Sequence, residues 1–173
     1  MPYTIQMKQY KSIKEFELEG LLTGTSYGAY GVVINAIRKV DNKNFVMKFF
    51  GYTINKPDTS WILREIDNMR SLKGIHGVVQ IEATFTDTAE GYLKNKKYKR
   101  RYPIIVMEKL SGGDLFDKIV LKNYFSEYDA SIIFKTFIKA LYDIHNDRNM
   151  INIDLKTENL VFTGNSCYNS NII

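Results

Sequence analysis

The chain has a single cysteine, Cys167, in 173 residues, which excludes an internal disulfide and fits a reducing compartment. No apolar run approaches the roughly 18 residues that a membrane-spanning helix needs. The first 30 residues lack the apolar core of a secretory signal. The protein is therefore read as intracellular, with no membrane among its partners. Extremes of composition are missing as well. Apolar residues make up 45% and charged residues 25%, which is ordinary for a folded soluble chain. The length suffices for one domain with a real core, or for two small lobes.

The net charge is +5, and much of the excess sits in Lys94, Lys96, Lys97, Lys99, Arg100 and Arg101. Such a run can mark nucleic-acid binding or nuclear import. No nucleic-acid-binding motif accompanies it. It is read as the solvated tip of a hairpin, and nucleic acid is not expected as a partner.

A strand is expected from Phe16 to Thr23, followed by a glycine-rich tract from Gly24 to Val33. Glycines between two strands let backbone N–H groups approach a phosphate closely, because no Cβ intervenes. The next segment, Asn44 to Phe50, alternates as a strand should: Phe45, Met47 and Phe49 share one face, and Val46, Lys48 and Phe50 the other. Start signals at Pro57-Asp58-Thr59-Ser60 open a helix with an apolar stripe of Ile62, Ile66, Met69 and Leu72. Glu65 lies within that stripe, and a carboxylate there needs a cation or hydrogen bonds. Further strands are expected at Val78 to Phe85 and Pro103 to Met107. A Gly112-Gly113 bend leads to a helix starting at Asp114, and Ser126-x-x-Asp129 resembles a capping box that opens a helix to about His145. That helix carries Ile132, Ile133, Phe134, Phe137, Ile138, Leu141 and Ile144, more than one stripe, so it expects neighbours on more than one side.

The densest polar cluster follows. Asn152 to Phe162 reads N-I-D-L-K-T-E-N-L-V-F, with Asp154, Lys156, Glu158 and Asn159 between apolar flanks. A short polar loop held by buried neighbours suits chemistry, because its side chains are positioned by rigid surroundings.

These motifs, in this order and at these distances, resemble the protein kinase family over about residues 16–173. The loop resembles H-R-D-x-K-x-x-N. The resemblance implies that Asp154 accepts the substrate hydroxyl proton, Lys156 neutralises charge on the moving phosphoryl group, and Asn159 holds Mg²⁺. The usual H-R is Asn152-Ile153, and Ile153 cannot pair with a phosphorylated activation loop as the family arginine does. The glycine tract aligns with G-x-G-x-x-G-x-V through Ser26, Gly28, Gly31 and Val33. Tyr30 stands at the tip, Thr25 lies beside the loop, and Ser26 replaces the first glycine. Lys48 resembles the lysine that grips the nucleotide's α- and β-phosphates, with Glu65 as its partner. Val33 and Val46 would form the ceiling of an adenine pocket and Val161 its floor. Val46 replaces the usual alanine. Pro103 to Ile119 resembles the hinge of calcium/calmodulin-type kinases. By that likeness Met107 is the gatekeeper, backbone groups of Glu108 and Leu110 meet the adenine edge, and Asp114 takes the ribose hydroxyls.

The implied fold is α+β and protein-kinase-like. Residues 1–107 would form a five-stranded antiparallel N-lobe with one helix, and residues 108–173 the hinge and the beginning of a helical C-lobe. The implied activity is transfer of the ATP γ-phosphate to a serine or threonine hydroxyl of a protein substrate, with ATP and Mg²⁺ as cofactors. Lys156, two residues after Asp154, favours the serine/threonine class. The sequence reaches Asn171-Ile172-Ile173, which resembles the strand leading into D-F-G, and no D-F-G, activation loop or A-P-E follows. Loss of the D-F-G aspartate, the principal Mg²⁺ ligand in kinases, is expected to cost on the order of 4 kcal/mol or more of transition-state stabilisation. The 173 residues alone are thus expected to transfer phosphate poorly. The Ser126 helix is expected to expose an apolar face that a partner chain would cover. The alternatives are a catalytically impaired kinase-like binding or regulatory module, or a fragment of a split kinase.

Overall fold

The computed structural model describes residues 12–19, 22–23, 27–28, 31–50, 60–93 and 96–164. The chain divides into two compact units, residues 1–69 with 81–109 and residues 70–80 with 110–173.

The first unit is a curled sheet with one helix. Its strands are β1 (Phe16–Glu19), β2 (Leu22–Thr23), β3 (Tyr27–Gly28), β4 (Gly31–Arg38), β5 (Lys43–Phe49), β6 (Ile81–Leu93) and β7 (Lys96–Glu108). Five of them, in the order β1-β4-β5-β7-β6, pair antiparallel and form the sheet expected from the sequence. The two-residue strands are additions: β3 pairs with β4, and β2 lies parallel to β6.

Side-chain alternation sorts the sheet into two faces. Phe16, Val32, Ile34, Ala36, Phe45, Met47, Phe49, Ala83, Ala89, Tyr102, Ile104 and Val106 are buried together on one. The other face carries helix α1 (Ser60–Ser71), whose Ile62 and Ile66 pack with Phe50, Ile81 and Ile105, flanked by Trp61, Met69 and Met107. Fully burying one such isoleucine is worth about 1.5–3 kcal/mol, so this stripe seats α1 on the sheet.

Two polar clamps hold the curl. Arg38 is buried and receives compensation on both sides, from Asp41 at 2.8 and 2.5 Å and from Glu82 at 3.0 Å, with its guanidinium over the Phe45 ring. A buried guanidinium without such partners would be strongly destabilising. At the start of the sheet, Ser12 caps a short 3-10 turn, Ile13–Glu15. Its Oγ donates to Asp87 of β6 at 2.8 Å, and the Ile13 amide donates to the same carboxylate oxygen at 2.7 Å. These bonds, chiefly the one from Ile13, hold the Asp87 carboxyl below its ordinary pKa.

The β6–β7 ladder is longer than expected. Pairing runs from Ile81↔Met107 to Leu93↔Lys96, leaving two residues at the connection. The basic run is therefore not a loop tip. Apart from Lys94, it lies along β7. Val78, expected to begin a strand, is buried in the turns before β6.

The second unit contains α2 (Leu115–Lys122), α3 (Glu127–Arg148) and a 3-10 turn, Thr157–Asn159. Asp114 caps α2 by accepting from the Asp117 amide at 2.8 Å, and Ser126 caps α3 by accepting from Asp129 at 3.1 Å. The helix starts expected at both residues are thus seen, and α3 continues three residues past His145. Leu115, Ile133, Leu160 and Phe162 form one cluster, and Ile75, Val78 and Ile144 another, so α3 meets neighbours towards both ends. A further face of α3 exposes Phe134, Ile138 and Tyr142.

Candidate active site

Of the residues expected on the nucleotide side, those of the glycine tract, Val33, Val46, Lys48, Met107 and Glu108 belong to the first unit. Thr25, Ser26 and Tyr30 lie outside the described residues. Gly28 pairs with Gly31 across the β3–β4 hairpin. Gly31 has φ +146°, and a Cβ there would collide with the Phe49 carbonyl. Glycine is thus demanded by the close approach of β4 to β5.

The register brings several expected residues together on the face that also carries α1. Val33 lies opposite Lys48, Lys48 opposite Ile105, and Val46 opposite Met107. Val33 is exposed, whereas Val46, Lys48 and Met107 are half-buried. The result is a cation flanked by aliphatic side chains. Lys48 Nζ meets Glu65 Oε1 of α1 at 2.5 Å, with the two side chains 19% and 29% exposed, and it also lies over the Phe50 ring. The pairing expected from the sequence is present. It exists because Lys48 and the apolar stripe of α1 occupy the same side of the sheet. Glu108 ends β7 opposite Phe45.

The residues expected in the catalytic loop belong to the second unit, as do Leu110, Asp114 and Val161. Residues 112–115 zip against 160–162: the Gly112 amide donates to the Phe162 carbonyl at 2.8 Å, Phe162 to Gly113 at 2.9 Å, and Leu115 to Leu160 at 2.8 Å. Asp114 and Val161 face one another in this ladder. A Cβ on Gly112 would run into the Gly164 carbonyl and Phe162, so this glycine permits the ladder. Phe162, fully buried, and Leu160 anchor the loop's exit. Asn149, in the left-handed conformation that asparagine tolerates, closes α3 at the loop's entrance.

Between these anchors the polar residues converge on Asp154. Asn159 Nδ2 donates to the Asp154 carbonyl at 2.8 Å and to its Oδ2 at 2.9 Å. Lys156 Nζ lies 3.2 Å from Oδ1 and 3.0 Å from Oδ2. Hydrogen bonds from Lys156, then from Asn159, hold the Asp154 carboxyl below its ordinary pKa. It is ionised at neutral pH and open to solvent, with its side chain 67% exposed. Asn152 contributes a feature the motif reading passed over: its Oδ1 accepts from the Asp154 amide at 3.0 Å. An asparagine two residues before the aspartate is the sequence signal of such an Asx turn. Ile153, in the place of the family arginine, is 93% exposed.

An aspartate carboxylate ringed by a lysine and an asparagine, on a loop anchored at both ends, is an arrangement suited to phosphoryl transfer. The family model described as protein kinase domain matches residues 25–168. The chain belongs to the protein kinase family. Its kinase sequence is 29% identical over 136 residues to calcium-dependent protein kinase 14 of Oryza sativa subsp. japonica, covering 78% of this chain and 24% of that protein. It is 31% identical over 137 residues to calcium-dependent protein kinase SK5 of Glycine max, covering 78% and 24%. It is 31% identical over 142 residues to calcium-dependent protein kinase 5 of Plasmodium falciparum, covering 80% and 22%. This kinase chain thus spans about a quarter of the length of the curated relatives it matches. Among the described residues, no helix is long and apolar enough to cross a membrane.

Proposed function

We propose that the chain carries the nucleotide-gripping and catalytic-loop residues of an ATP-dependent serine/threonine protein kinase, which transfers the γ-phosphate to a protein hydroxyl. The observation that carries this reading is the ring of contacts around Asp154 by Asn159, Lys156 and Asn152.

The residues fit the groups the family uses. Lys48, held by Glu65 between Val33 and Val46, offers a fixed cation beside aliphatic surface, which suits nucleotide phosphates and a purine ring. The amide oxygen of Asn159 is a hard donor. It suits Mg²⁺, which takes one or two protein oxygens and completes its shell with water and phosphate. When bound, the ion neutralises charge developing on the phosphate oxygens.

In the reaction, Asp154 accepts a hydrogen bond from the substrate hydroxyl and aims it. A carboxylate with a depressed pKa is a weak base, so its main work is orientation. It takes the proton as the oxygen–phosphorus bond forms and the bond to the leaving ADP oxygen breaks. Lys156 stabilises charge on the transferring group. Met107, Glu108, Leu110, Asp114 and Val161 are proposed as adenine- and ribose-side contacts.

The test combines binding and transfer. ATP affinity should rise with Mg²⁺, fall at least tenfold in Lys48→Met, and lose its Mg²⁺ dependence in Asn159→Ala. Label carried from ATP to a basic protein substrate should vanish in Asp154→Asn. Nucleotide binding indifferent to both Lys48 and Asn159 would remove the basis for the reading.

A further inference from the structure

We infer that Ser12 is a phosphorylation site, and that a phosphate there unlatches the turn Ile13–Glu15 from β6. The inference rests on hydrogen bonds within the first unit and needs no phosphotransfer by this chain itself.

The latch joins residues 75 places apart. Ser12 Oγ donates to Asp87 Oδ2 at 2.8 Å, and the Ile13 amide donates to the same oxygen at 2.7 Å. The Thr88 amide donates to Oδ1 at 2.7 Å. Three donors thus converge on one carboxylate and keep it ionised at neutral pH. Behind the latch, Ile13 packs against the core of the sheet. Further along, the Glu15 carbonyl accepts from the Lys39 amide at 3.0 Å, and Phe16 is buried. The turn is therefore held twice, to β6 through Ser12 and Ile13 and to β4 through Glu15.

The Ser12 hydroxyl is the member of this latch whose charge can be changed covalently. It is half-buried, and lysines stand at positions 8, 11 and 14, a setting that suits a modifying enzyme with an acidic substrate groove. Phosphorylation joins Ser12 Oγ to the γ-phosphorus of ATP and breaks the bond from that phosphorus to the β–γ bridging oxygen. ADP leaves, and the hydroxyl proton passes to the modifying enzyme's base. The product carries about −1.5 to −2 charge at pH 7 and has no proton to give Asp87.

Two effects then compete. The Lys14 amide, already bonded to Oγ at 3.2 Å, favours the phosphate but offers only a partial charge, and the Lys14 side chain is exposed to solvent. Asp87 carries a full negative charge at contact distance. Glu15 adds a second carboxylate, which accepts from the Ser12 amide at 3.1 Å. Like charges this close, on half-buried groups, are poorly screened. Repulsion wins. Residues 12 and 13 part from Asp87 and Ile13 leaves the core, while Glu15 stays on β4.

The test compares the unmodified 173-residue chain with the same chain carrying genetically encoded phosphoserine at position 12, by hydrogen exchange. Exchange of the Ile13 amide should accelerate at least tenfold, with that of the Lys39 amide unchanged. Ser12→Ala leaves the Ile13 bond in place and adds no charge, so it should accelerate Ile13 by only about threefold. In Asp87→Asn the phosphate should add less than it does to the unaltered chain. Equal acceleration by phosphoserine and by Ser12→Ala would reduce the residue to a cap and overturn the unlatching. A phosphate effect undiminished in Asp87→Asn would overturn it too. If that variant fails to melt cooperatively, the comparisons in the presence of Asp87 decide the matter. Access is tested by incubating the chain with protein kinase C and ATP·Mg²⁺ and locating phosphate by mass spectrometry. Ser12 should be labelled, and faster in Asp87→Asn, where the hydroxyl is held less tightly. Absence of phosphate on Ser12 would overturn the modification.

Discussion

The two units hold their proposed site residues by different means. In the first unit, Lys48 and Glu65 are half-buried, sit on a strand and a helix far apart in sequence, and meet only because the sheet and α1 are packed. In the second, Asp154 is open to solvent and is positioned by residues no more than five places away. The lysine's geometry is therefore a property of the tertiary fold, and the aspartate's a property of one loop between two anchors. Damage to the core should disturb the first at once, and the second should answer mainly to local hydrogen bonds.

The largest effect expected comes from attacking the fold beneath Lys48. Phe49 is fully buried beside it in the sheet core, and Phe49→Ala should cost about 3–5 kcal/mol. Chemical denaturation should show the loss, with Asp154 retaining its depressed titration wherever the second unit stays folded. A stability loss in Phe49→Ala below about 1 kcal/mol would contradict the core assignment.

Glu65→Ala should come next. It leaves the half-buried Lys48 without its carboxylate, a change worth about 1–3 kcal/mol, and it should lower both thermal midpoint and ATP affinity. Glu65→Gln, which retains a hydrogen-bond acceptor, should recover part of the stability.

On the loop side, Asn152→Ala should leave the unfolding midpoint almost unchanged. Hydrogen exchange at the Asp154 amide should accelerate by roughly tenfold, the loss of one modest hydrogen bond. An unchanged exchange rate would show that the Asx turn does not order the loop.

The smallest effect is a titration. Lys156→Met removes the largest cause of the depressed Asp154 pKa, so the carboxyl should titrate nearer its ordinary value, seen by carbon NMR, with no change in global stability. The sign matters for Asp87 as well. Its folded pKa is depressed, so its contribution to stability is present above the ordinary carboxylate value and fades as pH falls through the folded value. Acid should therefore release the Ile13 amide to exchange, and Ser12→Ala should move that release to higher pH.

The same contrast explains what could be read in advance. Lys48 and Glu65 were legible because each interrupts an apolar stripe, and a charge among buried neighbours demands a partner. Ser126 and Asp114 were legible because caps are local. The length of β6 and β7 was not. Beyond Phe85 the inward positions carry Asp87 and Ala89, and among the described residues the pairing of β5 with β7 ends at Ile104, so the apolar alternation that marks a two-sided strand fades while the β6–β7 pairing continues. Asn152 was passed over because it was weighed against the histidine of the motif, whereas its role here is that of a turn former. The Arg38 clamp was invisible for another reason. Asp41 is nearby, but Glu82 comes from a distant strand, and only the curl of the sheet brings it within 3.0 Å.

That curl also orders events in time. β1 lies at one edge of the sheet and β2 at the other, yet only two residues separate Glu19 from Leu22, a reach of about 11 Å for an extended chain. The β1–β4–β5 meander can assemble from neighbours in sequence. The seam between Leu22 and Gly91 must wait until the β6–β7 ribbon exists and has bent round to meet it. Non-local closures of this kind are slow. The seam should therefore be the last part of the sheet to form and, by the same route, the first to part.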